Sequence, residues 1–237
     1  MCSPEQAARM VEHITDPNTF GGERPWVTVA RDDRSFNDTD GDYWLGGIWL
    51  PTAYMGTKAL EKYGYHQAAD EAAENLLAHM YRTYHAVEPN TIWECYSPSR
   101  DYPVVRRNGH IVRPDFCGWS ALGPISMFIE NVLGFHTVDA KNKRIEWRLH
   151  QTERHGIQNF KFGDIVADIL YDGNGTVTVT SNAAFDLVIN GTVHSILSAE
   201  DREQQLLRFK SSRIWPAKRA TKRTTDETTI AANVPAA

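Results

Sequence analysis

Apolar positions in the first half of the chain recur at helical intervals. Behind Pro51, the positions Ala53, Thr57, Leu60 and Tyr63 keep three- and four-residue spacing, and Gly64 is placed to stop the helix. A second helix is predicted almost at once, over about residues 67–84. Ala69, Ala73, Leu76 and Met80 form its apolar stripe, with Asp70, Glu71 and Glu74 off it. So short a link makes the pair an αα-hairpin. Over residues 119–133, Leu122, Ile125, Met127, Phe128, Ile129, Val132 and Leu133 occupy most of the circumference, which predicts a deeply buried helix. A shorter helix is expected to run to about Thr15. Ser3 caps it, Pro4 opens it, and Asp16-Pro17-Asn18 ends it.

At about Gly134 the period changes to alternation. Ile145-Glu146-Trp147-Arg148-Leu149 alternates, and residues 164–171 and 176–180 flank Asp172-Gly173-Asn174-Gly175. Residues 185–189 and 192–196 flank Asn190-Gly191, the commonest type I′ hairpin pair. These segments predict a small antiparallel β domain of about five or six strands over residues 136–197. From about Ser198 the pattern dissolves into a basic stretch (Arg208, Lys210, Arg213, Lys218, Arg219, Lys222, Arg223) and a Thr/Ala tail, so residues 198–237 are expected to be disordered.

Composition adds limits. A net charge of -5 and 41% hydrophobic residues over 237 positions describe an ordinary globular protein. The mild acidity argues against nucleic-acid binding, and no apolar run approaches the roughly 20 residues of a membrane span. Met1-Cys2-Ser3-Pro4-Glu5 carries no basic or apolar signal-peptide region, which leaves the compartment open. Cys2, Cys95 and Cys117 form neither a CxxC pair nor a zinc pattern and read as free thiols. The unusual feature is seven tryptophans and nine tyrosines, many of them near loops. Aromatics there either pack a core or stack on the apolar C–H faces of sugar rings.

Three segments could carry chemistry. In Thr91-Ile92-Trp93-Glu94-Cys95-Tyr96-Ser97-Pro98, a loop carboxylate stands among aromatics, suited to general acid or base work or to accepting backbone hydrogen bonds. In Arg113-Pro114-Asp115-Phe116-Cys117-Gly118-Trp119-Ser120, Asp115 precedes a helix, which it could cap, or it could point at a ligand hydroxyl. In Asp42-Tyr43-Trp44-Leu45-Gly46-Gly47-Ile48-Trp49-Leu50-Pro51, the glycines either let the backbone approach a ligand or shape a tight loop. The acidic run Asp38-Thr39-Asp40-Gly41-Asp42 fails as an EF-hand, because Phe36 and Gly47 fall where carboxylates are required.

Taken in order, YWLGGIWLP, WECYSP and DFCGWS followed by an apolar helix resemble the C-terminal half of (α/α)6-barrel glycosidases such as trehalases, mannosyl-oligosaccharide glucosidases and mannosylglycerate hydrolases. The resemblance covers about residues 5–135. It implies a mainly α fold, a partial (α/α)6 toroid over residues 1–135, followed by the small antiparallel β domain. It places Glu94 on the general base and Tyr96 beside it in a Glu-x-Tyr motif. Gly118, Trp119 and Ser120 open the last barrel helix, and Asp115 falls near an acidic substrate contact. By the same resemblance Trp44, Trp49, Trp93 and Trp119 wall a sugar pocket.

Two departures stand out. Leu45 replaces an Arg or Asp common in relatives, and the general acid, an Asp far upstream of the Trp-rich segment, has no counterpart among the residues before Trp44. Twelve barrel helices need at least about 300 residues, so a partial barrel from a truncated or split gene is expected.

The implied function is inverting hydrolysis of an α-linked glucoside or oligosaccharide, trehalase-like, by a fragment inactive alone. It requires no metal or organic cofactor. The implied partners are a carbohydrate, with neither nucleic acid nor membrane, and either a missing N-terminal half or a second copy. The rival is a non-catalytic carbohydrate-binding or scaffold protein.

Overall fold

The computed structural model of the chain describes residues 2–198 and 205–208. Helix α1 (Pro4–Thr15) starts in a capping box: the Ser3 hydroxyl accepts from the Gln6 N–H, and the Gln6 side chain answers to the Ser3 N–H. Helices α2 (Leu50–Lys62) and α3 (His66–Ala86) form the expected hairpin, with Gly64 at φ 83 in the link. The fourth helix is a 3-10 turn (Trp119–Leu122) that continues as a π-helical stretch (Gly123–Val132) and packs on α3. The helical core contains Leu50, Ala53, Leu60, Ala69, Ala73, Leu76, Met80, Trp93, Tyr96 and Met127. A Cβ on Gly123 would lie 2.7 Å from Met80 Sδ and 3.0 Å from Leu50 Cδ1, so a larger residue there would have to displace the ends of both side chains.

The remainder is a two-sheet sandwich. One sheet has the order β1 (Phe135–Asp139), β2 (Arg144–Trp147), β6 (Phe185–Ile189), β7 (Thr192–Ile196). The other has the order β3 (His155–Phe162), β4 (Ile165–Tyr171), β5 (Thr176–Ser181), β8 (Gln205–Arg208). Both sheets contribute to one core that includes Ile145, Trp147, Ile169, Tyr171, Val179 and Leu187. Both hairpin signals hold. Asn190 and Gly191 sit at φ 48 and 83 between β6 and β7, and the Asp172 carboxylate accepts from the N–H groups of Asn174 and Thr176 between β4 and β5.

Four expectations need correction. Among the described residues there are four helices and two sheets, a small α+β fold that overturns the mainly α toroid. The helices pack as one group, while residues 16–49 and 87–118 run as irregular chain held by loop hydrogen bonds and isolated bridges. The β part is not wholly antiparallel, because β2 and β6 run parallel. The fourth helix is not deeply buried: Ile125 is 58% and Phe128 42% exposed. Finally, the tail expected from residue 198 contains β8, which pairs with β5; residues 199–204 and 209–237 lie outside the described residues.

The helical and sandwich parts meet across a polar seam. Arg148 donates to both oxygens of buried Asp70 on α3, at 2.7 and 3.2 Å, and lies 3.6 Å from Glu61 on α2. The buried Asn131 amide donates to Glu61 and Asp70, and Gln151 donates to Glu74.

Candidate active site

Glu94 lies at a bend in irregular chain that is fixed from several sides. Tyr96 exchanges both backbone hydrogen bonds with Ile48, and the Val104 N–H donates to the Cys95 carbonyl. The Glu94 N–H donates to the Arg113 carbonyl at 3.0 Å, and the Ser120 hydroxyl donates to the Glu94 carbonyl at 3.1 Å. Backbone bonding on both sides orients the side chain inward, and Glu94 is 5% exposed.

Its two oxygens differ. Oε1 accepts from the Tyr43 hydroxyl at 3.1 Å. Among the described residues Oε2 is buried without a hydrogen-bond partner, and the Arg106 guanidinium stands 3.9 Å away, beyond hydrogen-bond reach. Burial, reinforced by Glu94, raises the Tyr43 hydroxyl above the usual phenol range and keeps it a donor. Tyr43 sits edge-on to Trp49 (4.6 Å between centroids), and its carbonyl accepts from the Trp49 indole N–H at 3.0 Å. Trp49 stacks on Trp44 at 4.1 Å with planes 2° apart, and Trp119 tilts against Trp49 at 6.1 Å. Trp44 and Trp119 are 49% and 43% exposed, so each offers an aromatic face to a ligand. Cys95 is a buried free thiol, raised far above its ordinary value by burial and inert as a nucleophile.

The structure therefore brings Glu94, Trp44, Trp49 and Trp119 into one cluster. It sends the other expected residues elsewhere. Trp93 and Tyr96 belong to the helical core; the Tyr96 hydroxyl accepts from the Trp93 N–H at 3.1 Å. Asp115 stands in an exposed turn at φ 52 and accepts from the Thr91 hydroxyl at 2.6 Å; it does not cap the fourth helix, whose N-cap, Gly118, has no side-chain bond. Gly46 and Gly47 make room for the chain's own atoms rather than a ligand: a Cβ there would meet Phe36 at 2.8 Å or the Tyr43 carbonyl at 2.3 Å.

Tyr43 and Arg106 are the members that sequence reasoning missed. Tyr43 lay inside the Trp-rich motif, but nothing in that motif links it to Glu94. Arg106 had a readable signal: Asn108-Gly109 between Val104-Val105 and Ile111-Val112 is a hairpin pattern. The hairpin forms, with a Val105–Ile111 bridge and the Arg106 N–H donating to the His110 carbonyl.

Behind the cluster a polar network ties the Glu94 segment to α3. Fully buried His79 bonds Asp101 through Nδ1 and the Ser97 carbonyl through Nε2, each at 3.0 Å. Asp101 also accepts from Arg24 and Arg82, each at 2.9 Å. Burial, helped by the Arg24 charge, pushes His79 down to about 4, against the upward pull of Asp101 and Ser97. A neutral ring carries one N–H and donates to only one of these two acceptors, leaving its other nitrogen facing an oxygen. Desolvation is strong enough to override the hydrogen bonds.

A separate apolar cleft of about 630 Å³ opens between α3 and the fourth helix, lined by Leu77, Tyr81, Tyr84, Ile92 and Phe128 among others; Glu94 is not one of its lining residues. Among the described residues no group of three His, Cys, Asp or Glu side chains is placed to hold a metal ion.

A buried carboxylate with one open oxygen, beside exposed tryptophan faces, is an arrangement chemically suited to a carbohydrate. Comparison with known families agrees. Residues 1–116 match the mannosylglycerate hydrolase MGH1-like glycoside hydrolase domain, which supports a glycoside hydrolase family and glycoside hydrolase function in general. The matched span holds Tyr43, Trp44, Trp49, Glu94 and Arg106, and stops before Trp119 and the sandwich. No curated protein matches the chain.

Proposed function

We propose that Glu94 is the general base of a glycosidase that hydrolyses an α-linked glycoside with inversion. The observation that carries this reading is the asymmetry of its carboxylate: Tyr43 holds Oε1, while Oε2 is buried and unbonded. A water beside Oε2 would give up its proton there as its oxygen attacks the anomeric carbon, on the face opposite the leaving oxygen. The exposed faces of Trp44 and Trp119 would stack on the C–H faces of the sugar.

Inversion also needs a carboxylic acid about 6.5–9.5 Å from the base, to protonate the leaving oxygen. Among the described residues, no hydrogen bond or ion pair links a second carboxylate directly to Glu94. The substrate class follows from two supports. The trehalase-like resemblance favours an α-glucoside, and the matched domain is named for a mannosylglycerate hydrolase.

α-Glycosyl fluorides test the base alone, because fluoride departs without protonation. The purified chain is expected to hydrolyse α-glucosyl or α-mannosyl fluoride, and Glu94→Gln to abolish this with the fold intact by circular dichroism. Undiminished turnover in Glu94→Gln would remove Glu94 from the mechanism. A second reading, a non-catalytic sugar-binding module, is supported by the exposed faces of Trp44 and Trp119. Calorimetry showing glucoside or mannoside binding without fluoride turnover would select it.

We also propose that the chain self-associates through the apolar face of α3 and the fourth helix. Tyr81, Tyr84, Ile125 and Phe128 are 67%, 42%, 58% and 42% exposed there. At full burial areas of about 150–250 Å² per large side chain, this leaves on the order of 400 Å² uncovered, about half of what each partner of a standard interface contributes.

A further inference from the structure

We propose that Arg106 and Tyr43 form a latch over Glu94, and that Arg106 must leave the Tyr43 ring before a sugar reaches the carboxylate. The proposal rests on the reading that Glu94 is the working group, and it makes Arg106 a positioning residue.

Glu94 is 5% exposed although Oε2 has no partner, so its shielding comes from what lies over it. The Arg106 guanidinium lies 4.0 Å from the Tyr43 ring centroid, in cation–π contact, and 3.9 Å from Oε2. It makes a long ion pair with the carboxylate without hydrogen-bonding it, and its own side chain is 43% exposed. The cover is therefore held by weak, reversible contacts.

The support of Arg106 is equally releasable. Val104 and Val112 bury the base of the hairpin, whereas residues 106–111 at its tip are exposed. The tip is fastened to the Tyr43 loop by Arg107, whose N–H donates to Asp42 Oδ1 at 2.9 Å and whose guanidinium pairs with the same carboxylate. The Arg107 side chain is 76% exposed, so the pair is screened from its solvent side although Asp42 itself is 13% exposed. On the opposite side Asp42 and Tyr43 stand at φ 32 and 70, left-handed conformations that residues other than glycine rarely adopt. Consecutive strained residues at the site, clamped by a surface ion pair, give the loop a reason to relax when the clamp lets go. Closure excludes bulk water from Oε2, and opening admits the sugar.

The test reads the accessibility of Glu94 and needs no turnover. Glycine ethyl ester is coupled to carboxylates with a water-soluble carbodiimide, and the rate at Glu94 is followed by peptide mass spectrometry. Glu61, in the helix–sandwich seam with 13% side-chain exposure, is the internal reference. Arg106→Ala is expected to speed coupling at Glu94 by about two- to five-fold, the factor that loss of one exposed cation–π contact allows, with Glu61 unchanged. Arg107→Ala, a surface change, is expected to act in the same direction and decides the matter if Arg106→Ala does not fold. An unchanged Glu94 rate in the variant, or a rise matched at Glu61, would overturn the latch. Either result leaves the fluoride test of Glu94 untouched, and a failed fluoride assay would remove the sugar-admitting role while leaving the cover over Glu94 to be read by the coupling rate.

Discussion

Tyr43 supplies the one hydrogen bond that the Glu94 carboxylate receives among the described residues. Tyr43→Phe leaves a buried carboxylate with neither oxygen bonded, a change that costs about 1–3 kcal/mol. Its urea midpoint is expected to fall accordingly, and fluoride turnover with it. An unchanged midpoint would show that the hydroxyl is not bonded to Glu94. His79 makes a prediction about pH. Its folded value of about 4 lies below the unfolded value of 6.5, so between these limits the unfolded chain binds more protons. Stability is fully present above about pH 6.5 and is lost as pH falls toward 4, by on the order of 3 kcal/mol from this group. Urea melts at pH 7.5 and pH 5 are expected to differ in the wild type and to differ less in His79→Gln; equal pH sensitivity in both would contradict a neutral buried imidazole. At this scale the sequence showed Glu94 and three of its tryptophans. It could not show that Tyr43 reaches the carboxylate, because that depends on left-handed φ angles at Asp42 and Tyr43, which neither residue type favours.

Among the elements, the fourth helix depends on Gly123. Gly123→Ala puts a Cβ against Met80 Sδ and Leu50 Cδ1, and is expected to cost about 1–3 kcal/mol by overpacking, read as a lower melting temperature. Wild-type stability in that variant would mean the helix sits farther from α2 and α3. Arg148→Met strands the Asp70 carboxylate in the seam. Breaking a buried pair in this way costs about 3 kcal/mol. Limited proteolysis is expected to cut the variant between the helical part and the sandwich before either is degraded, and an unaltered digestion pattern would deny the seam that role. Elements with local punctuation were legible: Ser3-Pro4 for α1, Pro51 and Gly64 for α2, and Asp172-Gly173 and Asn190-Gly191 for the two hairpins. β1 and β3 were not. Both break their own alternation: the register of β1 shifts between Phe135 and Thr137, and that of β3 between Ile157 and Phe160, where Asn159 adopts φ 53. The parallel β2–β6 pair joins segments about 40 residues apart, a distance over which alternation carries no orientation.

At the scale of the whole molecule, the toroid was an extrapolation from motifs confined to the site. YWLGGIWLP and WECYSP lie around Glu94 and do not specify the overall fold, which is a small α+β fold with four helices among its described residues. The apolar circumference of residues 119–133 led to an expectation of deep burial that one chain does not meet. A second copy is the occupant always at hand, so light scattering is expected to show a mass that rises with concentration, and Phe128→Lys with Tyr81→Lys to return it to the monomer; a monomer at all concentrations would contradict this. The central claim is that Glu94 delivers a nucleophile to the face opposite the leaving group, and azide rescue reads it most directly. With Glu94→Ala, an α-glucosyl or α-mannosyl fluoride and added azide, proton NMR is expected to show the β-glycosyl azide, because a small anion takes the place of the activated water. No azide adduct, or an adduct of the α-configuration, would contradict the account.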